Sequence, residues 1–121
     1  SWYRKRHRIG WIGEKLAALY LLKKSYEIIS MNEHIAPYGE LDLIVEKNGE
    51  IIFVEVKTIS KKQLGTPELK VDDQKISKLE KSIDLYIMKN EINLDIRLDV
   101  ISVMLCSGDP KIKHYKGIDI S

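Results

Sequence analysis

Apolar positions along the chain alternate between two periods, and each switch marks an element. Over residues 9–24, Ile9, Ile12, Leu16, Leu19 and Tyr20 recur at helical spacing. A second stripe on the same helix, Gly10, Glu14, Ala17 and Leu21, sets a carboxylate among small and apolar neighbours. That is an unusual place for one unless it faces a partner or a polar pocket. Residues 26–34 read as a strand and 36–39 as a bend. Two apolar runs over 40–58 flank Asn48-Gly49, the dipeptide that favours a two-residue hairpin loop. A loop with Gly65 and Pro67 follows over 60–71. The next helix starts near Asp72 or Asp73, either of which suits an N-cap. It carries Ile76, Leu79, Ile83, Tyr86 and Ile87 at helical spacing and ends near Asn90. Residues 94–105 alternate as a long strand, and 111–120 add a short last one after a turn over 107–110. Helix, three strands, helix, strand and short strand predict an α/β domain with a mixed sheet between two helices.

The hairpin carries the candidate chemistry. With Lys47 opposite Glu50, regular pairing sets Asp42 opposite Glu55 and Glu40 opposite Lys57. Facing residues have Cβ atoms roughly 4.5–5.5 Å apart, where like charges repel. Two carboxylates so placed call for a divalent cation, which prefers oxygen ligands. Four ionisable groups then converge on one patch of an apolar hairpin. Metal-assisted phosphodiester hydrolysis uses such a set: carboxylates holding Mg²⁺ or Mn²⁺, and a lysine that orients water or offsets developing charge. The Val56 carbonyl could add one more oxygen ligand. A one-residue slip would send Asp42 and Glu55 to opposite faces.

Composition narrows the classes. The chain has 121 residues, 44% of them hydrophobic, enough for one domain with a core. No apolar run approaches the length of a membrane span, and the first residues are too basic for a signal peptide, so a cytoplasmic location is the expectation. Cys106 is the sole cysteine, which excludes an internal disulfide. A net charge of +2 does not by itself announce a nucleic-acid binder. Its distribution says more: Arg4, Lys5, Arg6, His7 and Arg8 form a basic segment over 1–8, ahead of a single domain over 9–121. Further lysines, Lys75 and Lys78 among them, follow the hairpin but are diluted by Glu68, Asp72, Asp73 and Glu80.

Asp42, Glu55 and Lys57 fit the D…ExK pattern of the PD-(D/E)xK nuclease superfamily, a match that is weak alone. A longer string is more specific: Gly10-x-x-Gly13-Glu14-x-x-Ala17-x-x-Tyr20-Leu21, Tyr26-x-Ile28-Ile29-x-x-Asn32, Gly39-Glu40-Leu41-Asp42-Leu43-Ile44, Phe53-Val54-Glu55-Val56-Lys57-Thr58, Lys75 and Arg97-Leu98-Asp99-Val100. With it, nearly the whole chain after the basic segment resembles the YraN-type family of restriction-endonuclease-like proteins, related in fold to archaeal Holliday-junction resolvases. The resemblance implies an αβββαβ core and an active site of Glu14, Asp42, Glu55 and Lys57. Leu41 stands where the superfamily name places proline, and Ile59 where a basic residue is expected.

Plainer roles compete. Glu14 could pair with Lys24 or Lys57, Glu40 could pair with Lys57 across the strands, and Arg97 and Asp99 share a strand face and would pair with each other. Lys75, Lys78 and Gln74 on the second helix are ordinary solvated residues unless that helix lies beside DNA. His7, His34 and His114 show no ligand spacing. The leading expectation is a nuclease acting on DNA, branched or otherwise structured. Asp42, Glu55, Glu14 and the Val56 carbonyl would hold Mg²⁺ or Mn²⁺, and Arg4, Lys5, Arg6, Arg8, Lys75 and Lys78 would contact phosphates. Glu40 and Gln74 are secondary candidates. The alternatives are a nucleic-acid-binding or complex-forming module that keeps the nuclease fold without turnover, and an interaction domain steadied by a cation. Dimerisation is common in resolvase-like relatives and would let two sites act on two strands; the sequence shows no homodimer interface.

Overall fold

Asn48 and Gly49 both adopt positive φ, 51° and 77°, the backbone of the primed turns whose twist matches that of the flanking strands. They join β2 (Gly39–Lys47) to β3 (Glu50–Ser60), and Lys47 does face Glu50. The computed structural model describes residues 2–60 and 73–119, with side chains over 8–59 and 73–119. The loop expected beyond Ser60 and a cap at Asp72 lie outside the described residues, as do the side chains of Arg4, Lys5 and Arg6.

Around the hairpin stand α1 (Trp2–Lys23), β1 (Glu27–Ile35), α2 (Asp73–Lys89), β4 (Asp95–Leu105) and β5 (Lys111–Tyr115). The basic run at the start continues into α1, which begins well before residue 9. The five strands form one sheet in the order β1-β2-β3-β4-β5. Among the described residues, only β3 and β4 run parallel. A parallel pair needs a long crossover, and the segment that contains α2 supplies it. The architecture is therefore α/β with a mixed sheet and a helix on each face, consistent with a restriction-endonuclease-like core. Among the described residues, no helix is long and apolar enough to cross a membrane.

Alternation along the central strands divides the core. Leu43, Val45, Ile52, Val54, Ile101 and Val103 pack with Ala17, Ala18 and Leu21 of α1. Ile44, Ile51, Phe53 and Leu98 pack with Ile83 and Tyr86 of α2. Phe53 and Tyr86 meet edge to face with ring centroids 5.8 Å apart.

On α2 the buried stripe is the one the spacing predicts. On α1 it is not. Leu19 is 55% exposed and Ile9 37%, while Gly13, Ala17, Ala18 and Leu21 turn inward. Small residues let the helix backbone approach the sheet closely, so close packing selects the stripe containing Glu14 over the one with more large side chains.

Candidate active site

The site opens where a ladder stops. Cα pairing between β2 and β3 runs from Lys47↔Glu50 to Leu43↔Val54 and ends there, one step short of the expected facing of Asp42 and Glu55. Beyond it, β2 stays paired with β1 as far as Gly39 and β3 with β4 as far as Ser60. The strands part, and the Asp42 side chain bridges the gap: its Oδ2 accepts the Val56 N–H at 2.9 Å. Strand alternation also breaks here. Leu41 and Leu43, two residues apart, belong to opposite core clusters. Between their partners Glu33 and Met31 on β1 sits Asn32, with φ of 53°. The left-handed conformation is rare for residues other than glycine, and asparagine tolerates it best.

Helix α1 delivers the third wall. Gly13 lies against β3 so closely that a Cβ there would overlap Thr58 Oγ1 and stand 3.1 Å from the Thr58 Cβ. The absence of a side chain at 13 is what brings residue 14 into the cleft. Carboxylate oxygens of Glu14, Glu40 and Asp42 all lie within 4.8 Å of one another. The cleft measures about 400 Å³ and is lined by Ile9, Gly10, Glu14, Glu40, Asp42, Glu55, Val56, Thr58 and Lys75.

Crowded, half-buried carboxylates resist ionisation. Burial, then repulsion from Glu55 and Glu14, pushes Asp42 from 3.8 up to about 8, against the Val56 N–H, which favours the charged form. A hydrogen bond with Glu14 adds to the rise. Burial likewise raises Glu55, with Glu14 and Glu40 adding to it and Lys75 opposing it.

The sequence candidates divide as follows. Asp42, Glu55, Glu14, Glu40, Val56 and Lys75 line one cleft. Lys57 does not face Glu40. It lines an adjoining cavity of about 260 Å³ with Glu55, Lys75, Ile76, Leu79 and Val100. Glu40 instead accepts from Asn32 Nδ2 at 2.8 Å and lies 3.7 Å from His34 Nδ1. Lys78 borders a neighbouring hollow with Glu40, Glu55 and Lys75. Arg8 and Gln74 are exposed. Asn32 belonged to the motif string, but nothing in the sequence assigned it a role. Only its unusual φ and the approach of α1 put its amide between two carboxylates.

A second polar cluster lies under α1. Asp99, fully buried, takes Arg97 Nε at 2.8 Å and a second Arg97 nitrogen at 2.9 Å, the Gly117 N–H at 3.0 Å and His114 Nε2 at 2.7 Å. His114 Nδ1 in turn meets Tyr20 Oη at 3.0 Å. Burial alone would raise the Asp99 carboxyl, yet Arg97, Gly117 and His114 together hold it below its ordinary value.

A family model described as "Uncharacterised protein family UPF0102" matches residues 13–103. The chain is similar to a UPF0102 protein of Syntrophomonas wolfei, 44% identical over 107 residues that cover 88% of this chain and 92% of the relative. It is 40% identical over 112 residues to one of Alkaliphilus oremlandii (90% and 95% covered). It is 36% identical over 109 residues to one of Aliarcobacter butzleri (90% and 94% covered).

Proposed function

Since the chain belongs to UPF0102, the YraN family whose motifs it carries, we propose that it is a metal-dependent nuclease-like protein that hydrolyses phosphodiester bonds of DNA, with branched or otherwise structured forms among the substrates to test. One observation carries the reading: carboxylates from α1 and β2 converge within 4.8 Å in an open cleft, with Glu55 of β3 on its wall. Hard divalent cations take several oxygen ligands at short range, and the donor set of Glu14, Glu40 and Asp42 fits one. Glu55 and the Val56 carbonyl would complete it. A bound Mg²⁺ or Mn²⁺ would supply charge stabilisation on phosphate oxygens and a more acidic water.

The chain's own groups do the rest. Asp42, with one oxygen tied to the Val56 N–H, is fixed in direction toward the cleft it lines. Lys75 offsets negative charge at the cleft wall, and Lys57 stands one cavity away, beside Glu55. Lys78, Arg8 and the basic first turns of α1 would meet the DNA backbone, giving affinity that falls steeply with salt.

The test is cleavage of linear, nicked, flapped and four-way DNA with Mg²⁺ or Mn²⁺ by the full chain and by Asp42→Ala and Lys57→Ala. Metal-dependent cleavage lost in both variants is the expected result. A second reading, a nucleic-acid-binding module without turnover, holds if Lys57, which lines the adjoining cavity that shares Glu55, Val56 and Lys75 with the cleft, does not reach the bound phosphate. Salt-sensitive binding with no cleavage under any condition would establish that one instead.

A further inference from the structure

We propose that Asn32 is the positioning residue of this site, a clamp whose single amide group sets the distance between Glu14 and Glu40. This rests on the reading of the cleft as a divalent-cation site.

Asn32 Nδ2 donates to Glu14 Oε1 at 2.9 Å and to Glu40 Oε1 at 2.8 Å. An amide NH₂ has two hydrogens, and here both go to carboxylates, one on α1 and one on β2. The orientation is not ambiguous, because turning the amide over would aim its oxygen at two anions. Bonds from a neutral donor to an ionised acceptor are stronger than neutral pairs, and these two counter the repulsion of the groups they join. Both bonds fall on Oε1 atoms, while Glu40 Oε2 lies 3.7 Å from His34 Nδ1.

The backbone at Asn32 is what aims the side chain. A left-handed residue within a strand is strained for most side chains. The chain holds that conformation at 53° opposite Asp42, where β1 is paired on either side through Met31↔Leu43 and Glu33↔Leu41. An extended residue would carry its side chain along the alternation of the strand. The kink releases Asn32 from it, and the amide reaches both carboxylates. Strain coinciding with a carboxylate-bridging side chain is what a positioning role requires.

Asn32→Gly separates the amide from the backbone, since glycine accepts positive φ without penalty. Mn²⁺ binding to the full-length wild type, Asn32→Gly and Asp42→Ala would be measured by calorimetry, alongside metal-free melting. The expected result is Mn²⁺ binding by the wild type that Asp42→Ala abolishes and Asn32→Gly weakens about tenfold, the usual effect of removing a group that orients a ligand. A purely structural Asn32 would lower the melting temperature and leave Mn²⁺ affinity within about twofold, which overturns the clamp alone. No Asp42-dependent Mn²⁺ binding by the wild type would overturn the metal reading and the clamp with it. If the glycine variant does not fold, the side-chain amide resonances of Asn32 in the wild type decide. Shifts on Mg²⁺ addition support the clamp, and unchanged shifts while the Glu14 signals move overturn it.

Discussion

Asp42 couples the site to pH. Its carboxyl titrates at about 8 in the folded protein against 3.8 as its ordinary value. Between those limits the native state holds a proton that the unfolded chain has released. Stability therefore falls as pH rises: the contribution is full below about pH 4 and lost through about pH 8. Thermal melts of the metal-free protein should decline across that window, and Asp42→Asn should flatten the decline. Added Mg²⁺ should stabilise most at the alkaline end, where Asp42 has lost its proton and a cation can take its place. At this scale the sequence was partly readable. Glu14 stood out because it interrupts a small-residue stripe, and Asp42, Glu55 and Lys57 because of their pattern. The bridging by Asn32 was not readable, since it depends on one φ angle and on a helix remote in sequence.

Secondary structure was legible where local chemistry decides it. Asn48-Gly49 specified the turn, the turn specified the register, and the register held from Lys47↔Glu50 to Leu43↔Val54. Gly49→Ala should cost about 1–2 kcal/mol, the penalty for a side chain in the left-handed region, and would appear as a lower urea midpoint. Because φ at Gly49 is 77° and nothing lies within 4 Å of a Cβ there, strain rather than a clash sets that cost. Two element-level features escaped the pattern. The inward face of α1 was decided by how near Gly13 can come to Thr58, and hydrophobic periodicity does not weigh that. The parting of β2 from β3 goes with the break in alternation between Leu41 and Leu43 and the positive φ of Asn32 on β1, and a hairpin considered alone does not contain it.

Across the whole molecule, Asp99 ties the sheet together. Through Arg97, His114, Gly117 and Tyr20 it links α1, β4, β5 and the segment after β5, and Arg97 reaches on to Glu50 of β3 at 3.2 Å. Removing one member of a buried charged pair strands the other and costs about 3–5 kcal/mol. Asp99→Ala should fall at the lower end, because Arg97 keeps Glu50 and partial exposure to water; equilibrium urea unfolding measures it. The pairing of Arg97 with Asp99 followed from a shared strand face. His114 could not be placed from sequence, because only the β4–β5 register, with Ile101↔His114, carries it under the helix.

The kinked backbone at Asn32 also bears on how copies of this protein meet. Among the described residues β1 borders the sheet, and an edge strand of nine residues is the sort of template on which chains stack into aggregates. A register shift between Ile28 and Ser30 and the reversed φ at Asn32 leave it with no long straight stretch to copy. The bend that points an amide at two acids thus also spoils the border for a passing strand, so one residue shapes both the cleft and the edge of the sheet.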